Sequence, residues 1–345
     1  MSVATKVPQS VLLTGASGVV GQALLPQLLE EKYSVTCLVN KREVEDERVE
    51  SVKGNVREKQ LGIPTEMYRK LTTETEQIIH SAAITNFDSP RDAIMETNVN
   101  GTKNIVELAV KSNAKLIYVS TAFVHRTELP ASVSEYSAYC DSKREAESIV
   151  RESGIDYKIV RPSIVVGDST SGQIAAFQGM HIILGAILNR FAPVIPVSPE
   201  SYVDMIPQDI LVNVITSLLK HQTKTKELWV TYGSSAPNAS SIIKVLEEFS
   251  QLCNCLKAMP RMVSPDMVER LIKPVFLPSF PGYMRKRMEM LINYACYFNL
   301  FKPFPSNYES YREDLKLPNL PEVNEILWNN LEFWSSSTRY REKHA

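Results

Sequence analysis

Short apolar, β-branched runs alternate with longer segments of helical period through the first half of the chain, and this rhythm admits few folds. The runs are SVLLT (10–14), SVTCLV (34–39), QIIHSAA (77–83), KLIYVST (115–121) and YKIVRPS (157–163). Continuous apolar runs of this length read as strands buried on both faces. Between them GQALLPQLLEE, AIMETNVNGTKNIVELAVKS and YCDSKREAESIVRES read as helices. Strand and helix in strict alternation imply right-handed βαβ units. The expected class is α/β, a Rossmann-type doubly wound parallel sheet with a smaller, mainly helical C-terminal substrate-binding region.

After about residue 165 the rhythm stops. GDSTSGQIAAFQGMHIILGAIL is a loop into an apolar helix, and APVIPVSPESYVDMIP is Pro-rich with short extended pieces. DILVNVITSLLKH returns as a helix and ELWVTYG as a strand, and prolines then concentrate between 260 and 321. The expected division is a dinucleotide-binding domain over 1–235, with a substrate-side insertion near 168–200, and a substrate-binding region over 236–345.

Composition removes several classes of partner. A formal net charge of −1 gives no global field for nucleic acid, so none is expected. Five cysteines, at 37, 140, 253, 255 and 296, make no disulfide framework, and Cys253 and Cys255 lack the second pair that a metal site needs. No metal is expected. The lack of any apolar stretch near 20 residues predicts no transmembrane segment and a cytoplasmic location, with peripheral membrane contact and oligomeric state left open.

The first strand runs directly into TGASGVVG, where Gly15, Gly18 and Gly21 flank Ala16, Ser17, Val19 and Val20 at the start of a helix. Glycines at these steps let a tight turn and the helix N-terminus approach a pyrophosphate. After the second strand, where an NAD site carries a carboxylate for the ribose 2′-OH, the chain reads Asn40, Lys41 and Arg42. Positive charge there favours a 2′-phosphate, so NADPH is expected over NADH.

The stretch AYCDSKREAE places Tyr139 and Lys143 four residues apart, on one face of a helix. Taken alone, this is a solvated helix surface with Lys143 paired to Glu147. One element upstream, however, a strand ends in Ser120 and Thr121. A hydroxyl, a tyrosine and a lysine are what carbonyl reduction by a nicotinamide requires. The oxyanion left by hydride must be hydrogen-bonded and then protonated, and a nearby ammonium is expected to lower the tyrosine from its ordinary value of about 10.

TGASGVVG, IIHSAA, TNVNGT, YVSTAFV, AYCDSKREAE, IVRPSIVVGDS and VDMIPQDI occur in this order over about residues 10–215. Together they resemble the extended short-chain dehydrogenase/reductases, and within them the fatty acyl-CoA reductase and thioester reductase-like branch. The resemblance implies Thr121 as catalytic hydroxyl, with Ser120 beside it, Tyr139 as proton donor and Lys143 as its partner. It implies that Ser81, Ala82 and Ala83 pass under the cofactor, that Asn98 braces the active-site strand or the lysine, and that Pro162, Ser163 and Val166 are cofactor neighbours. His80 reads as a packed strand residue.

Three positions depart from the family's pattern. Gly54–Asn55 stands for a Gly–Asp that touches adenine, Asn40 for an arginine, and FVHR, through His125 and Arg126, for YVNG. The implied activity is NADPH-dependent reduction of an acyl thioester, on coenzyme A or a carrier protein, to an aldehyde, with a further step to the alcohol left open. The alternatives on the same three residues are 3β-hydroxysteroid dehydrogenase, dihydroflavonol reductase or sugar-nucleotide epimerase activity, and, without turnover, a cofactor-binding scaffold. In the tail, LINYACYFNLFKPF (291–304) suits an acyl channel or plain core, and Arg285, Lys286 and Arg287 suit a phosphate, an acidic carrier or a solvated face.

Overall fold

The structure is a computed structural model that describes residues 9–86, 89–126, 137–189, 191–253, 259–298 and 300–338. Cys255 lies outside them, as do the ends of both expected regions. The elements run β1 (Ser10–Thr14), α1 (Val19–Glu30), β2 (Ser34–Val39), β3 (Glu50–Lys53), α2 (Thr65–Glu74) and β4 (Gln77–His80). Next, α3 (Arg91–Met95) passes through a π-helical turn at Glu96–Asn100 into α4 (Gly101–Ser112), followed by β5 (Lys115–Val119), α5 (Ser137–Glu152), β6 (Tyr157–Pro162) and β7 (Ile164–Val166). The remainder is α6 (Met180–Leu188), β8 (Val194–Ile195), β9 (Met205–Pro207), α7 (Gln208–Lys220), β10 (Glu227–Val230), α8 (Ala239–Leu252), β11 (Arg261–Met262), α9 (Pro265–Met267), α10 (Gly282–Phe298), α11 (Tyr308–Arg312) and α12 (Val323–Ser337).

One parallel sheet of seven strands, in the order β3-β2-β1-β4-β5-β6-β10, forms the frame. The chain moves outward from β1 to β3 and then returns to β4 on the other side of β1, where Thr14 lies between Leu38 and His80. Such a reversal of strand order opens a crevice at the carboxyl ends of β1 and β4. Residues alternate between the faces, as the pleat requires. Leu12, Ile78, Leu116 and Ile159 enter the core under α2, α4 and α5, whereas Val11, Leu13, Ile79 and Ile117 enter the larger core shared with α7 and the tail.

Four of the expected strands end early, ELWVTYG at Val230 and YKIVRPS at Pro162 among them. QIIHSAA leaves the sheet after His80 and KLIYVST after Val119, so Ser81–Ala83 and Ser120–Thr121 become walls of the crevice. The edge strand β10 is covered by the tail. Asn307 accepts from the Trp229 amide (2.8 Å) and donates to the Glu227 carbonyl (2.9 Å), while the Tyr311 hydroxyl donates to the Trp229 carbonyl (3.0 Å). Side chains thereby replace a further strand. Among the described residues no helix is long and apolar enough to cross a membrane.

Candidate active site

At the end of β1 the glycines are required by space. Gly15 has a φ of +77°, and a Cβ there would lie 2.6 Å from the Ala82 amide nitrogen; a Cβ on Gly21 would lie 2.2 Å from the Gly15 carbonyl oxygen. Any side chain would push the turn off β4 or α1 off the turn. Gly18 begins α1 with no side-chain cap, and Gly18 N–H bonds back to Gly15 O at 2.9 Å. Uncapped first-turn amides over a tight glycine turn fit a pyrophosphate. Ala16 is buried beneath this turn and Ser17, Val19 and Val20 are half-buried along it.

Asn40, Lys41 and Arg42 are exposed just beyond β2. Beside them the Gly54 amide donates to Val39 O (2.9 Å). Asn55 is turned into its own loop, accepting from the Arg57 amide (3.1 Å) and donating to Glu58 (2.9 Å).

Toward the other end of the crevice, Thr121 holds extended backbone and its hydroxyl accepts from Phe123 N–H at 3.3 Å. That hydroxyl also hydrogen-bonds Tyr139. Lys143, one helical turn on, is 2% exposed and donates from Nζ to the Val119 carbonyl (2.8 Å), with the Tyr118 ring 4.3 Å away. Burial lowers Lys143 to about 7 against a smaller upward pull from Glu147. Burial also pushes Tyr139 above its usual range, and Thr121 is the neighbour that pulls it down. The expected lowering of Tyr139 by Lys143 is therefore not found, because desolvation governs both groups and the ammonium faces a backbone carbonyl. For reduction this suits the tyrosine, which stays protonated.

Behind these residues lies a set of committed polar groups. Ser120 donates to Glu147 (2.6 Å), and Glu147 accepts Arg161 in a two-pronged ion pair (2.8 and 2.7 Å) and Arg151 as well (2.6 Å). Arg161 reaches on to Glu227 (2.6 Å) and stacks over Trp229. Glu147 is only 2% exposed, so the solvated helix surface that the stretch suggests when taken alone does not hold for it, whereas Glu145 on the same helix is exposed. Ser120 has its proton committed to Glu147, which leaves Thr121 as the hydroxyl available to the cleft.

Asn98 is buried in the π-helical turn. It accepts from Ile84 N–H (2.8 Å) and donates to Ile84 O (3.1 Å) and Ser142 Oγ (3.0 Å). It thus ties the segment after β4 to α5, and its amide does not face the crevice as a cofactor contact would. His80 is packed, as its strand position implied. Thr102 donates to Asn98 O (2.6 Å), so its oxygen accepts from His80 Nε2 (3.2 Å), and Nδ1 accepts from the Thr14 hydroxyl (2.7 Å). Burial, then Lys143, lowers His80 to about 3.

A cavity of about 350 Å³ opens above Thr121, Tyr139 and Lys143. Of the residues expected near the cofactor, Val19, Val20, Ser81, Ala83, Ser120, Pro162 and Ser163 line it. Val166 does not; it pairs with Pro207 and is buried in the core. Ala82 passes just beneath, its amide donating to Thr14 Oγ1 (3.3 Å). Gln178, Gly179, Tyr294 and Phe298 form a far wall, of which Tyr294 and Phe298 lie in the apolar stretch 291–304. In the tail, then, the apolar stretch is both core and wall: Tyr297 is fully buried while Tyr294 and Phe298 face the cavity. Of the basic run, Arg285 bonds the carbonyls of Pro278 and Phe280, and Arg287 covers the Phe191 ring.

Residues 40–215 match the family described as Male sterility protein, an NAD-binding family. The chain belongs to this family. As a member it is an NAD(P)-dependent oxidoreductase of the extended short-chain type, and it fits the thioester reductase-like branch. Curated relatives of the chain include the L-2-aminoadipate reductase large subunit of Eremothecium gossypii, 25% identical over 69% of this chain and 21% of that protein. Another is the glycine betaine reductase ATRR of Emericella nidulans, 27% identical over 49% of this chain and 17% of that protein. The chain thus spans about a fifth of the length of these relatives. Among solved structures, the terminal R domain of the myxalamid PKS-NRPS pathway shares the fold, with a TM-score of 0.74 at 20% identity over 96% of this chain and 92% of that one. UDP-glucose 4-epimerase of Thermotoga maritima shares it too, with a TM-score of 0.66 at 17% identity over 96% and 100% of the two chains.

Proposed function

We propose that the protein reduces an acyl thioester, carried on coenzyme A or on a carrier protein, to an aldehyde with NADPH. The observation that carries the reading is the Thr121–Tyr139 hydroxyl pair at the floor of a mostly apolar cavity, with Lys143 buried one turn behind. The names of the two reductase relatives, and of the PKS-NRPS terminal R domain that shares the fold, support reduction of a carbonyl held on a thiol carrier. Exposed Lys41 and Arg42 beyond β2 support NADPH.

When bound, the reduced nicotinamide supplies a hydride. Thr121 and Tyr139 donate hydrogen bonds to the thioester oxygen and hold it as negative charge develops. Tyr139 passes its proton to that oxygen, and Lys143, held near neutrality, can restore it. The resulting hemithioacetal then collapses: the C–S bond breaks, the hydroxyl proton passes back through Tyr139 to the neutral lysine, and the departing thiolate takes one proton from solvent. Thioester, hydride and one proton thereby give aldehyde and thiol. The same site has the hydroxyls for a second reduction of the aldehyde.

Incubation with NADPH and a panel of acyl-CoAs, acyl carrier proteins, steroid ketones and nucleotide sugars tests this. Expected is NADPH oxidation with one thiol released per aldehyde, a fall of about 10²- to 10⁴-fold in Tyr139→Phe with cofactor binding retained, and loss of NADPH preference in Lys41→Ala/Arg42→Ala. Turnover of ketones or sugars alone, without thiol release, sinks the reading.

A further inference from the structure

A second cavity, of about 50 Å³, lies behind the first between α6, α8 and α10. Its walls, among them Ile183, Ile187, Ile242 and Leu246, are apolar throughout. A space without polar partners does not hold ordered water, and an empty one forfeits packing contacts on every wall. Among the described residues, Phe298 borders both cavities. Gly179 faces the first cavity and Met180 the second, so the partition is a single residue thick on that side too. Gly179 has a φ of +52°, and a Cβ there would lie 3.2 Å from the tip of the Phe298 ring. The ring therefore sits against a position where no side chain backs it.

We propose that this rear cavity receives the distal end of an acyl chain that carries no polar group there, and that Phe298 is the partition that sets the chain length accepted. The inference rests on the thioester reading and adds the substrate class. A sugar, a charged amino acid or a hydroxylated chain would meet no hydrogen-bond partner in these walls, whereas each buried methylene gains from leaving water.

The test compares kcat/KM for saturated acyl-CoA thioesters from butyryl to stearoyl in the wild type, Phe298→Ala and Ile242→Phe, alongside binding of a fluorescent fatty acid, cis-parinaric acid. In the wild type kcat/KM should rise about fourfold per added methylene until the space is filled. Phe298→Ala should move the optimum to longer chains. Ile242→Phe, which fills the rear cavity from α8, should lower the ratio of long-chain to short-chain kcat/KM at least tenfold and weaken the fluorescent probe. Ala295→Leu fills the same space from α10 and serves if Ile242→Phe does not fold. An unchanged chain-length profile and unchanged probe binding in the filled variants overturn the proposal. Should no thioester turn over while the wild type binds the probe and the filled variants do not, the thioester reading fails and the apolar site stands.

Discussion

Lys143 sets the expected pH behaviour of the reaction. Its buried ammonium is lowered to about 7, and the proton it holds is the reserve for Tyr139, which burial keeps protonated well beyond neutrality. A lowered lysine loses its charge as pH rises, so kcat/KM for reduction should be level below about 7 and fall about tenfold per unit above it. Lys143→Arg, which keeps its charge at every accessible pH, should abolish that limb at a lower overall rate; a limb that persists in the arginine variant would place the titration elsewhere. The lysine and the tyrosine were legible from their spacing. Their protonation was not, because it depends on how far the closed end of the crevice excludes water, a property of the surrounding walls.

α5 carries the proposed catalytic pair on one turn and its own anchorage on the next. Tyr139 and Lys143 face the cleft, while Glu147 closes on Arg161 of β6, Ser120 after β5 and, through Arg161, Glu227 of β10. Glu147→Gln leaves a 4% exposed guanidinium with Glu227 as its remaining partner, and should destabilise the fold by about 3 kcal/mol, read from the denaturant midpoint. No loss would mean that Glu227 and the Trp229 ring suffice. The five central strands and their helices were readable because continuous apolar runs have no other use in a sequence of this rhythm. β3 was not: in Glu50–Lys53 only Val52 is buried, and a short charged edge strand reads like a loop. The Glu147 cluster was also hidden, since an acidic residue four positions after a lysine is an ordinary helix-surface pattern until β6 delivers an arginine beneath it.

Across the whole molecule, the tail finishes what the sheet leaves open. Residues 305–311 satisfy the outer backbone groups of β10, and Phe304, Tyr308, Tyr311 and Trp334 complete the core that Leu13 and Ile79 begin. A chain ending at residue 235 would present β10 as a bare edge above an uncovered apolar face, and should run as aggregate in size-exclusion chromatography where the full chain elutes in a defined peak. A defined, folded species from the shortened chain would show that the first 235 residues stand alone. The far wall of the cavity was half legible: the apolar stretch 291–304 suited a channel, but its meeting with Gln178 was not readable, because the two come together only when α10 folds back over the strand ends.

That fold-back is held by Arg126, whose guanidinium bonds the carbonyls of Tyr297 and Cys296 in the last turn of α10, while the Cys140 thiol meets the Tyr297 hydroxyl at 2.9 Å. Arg126 lies five residues after Thr121, and Cys140 directly follows Tyr139. Roof and reaction centre are thus sutured at the very residues that flank the chemistry. A tail grafted onto this body to alter substrate choice would be clasped only if it offered carbonyls to Arg126 and a hydroxyl to Cys140 where α10 now does.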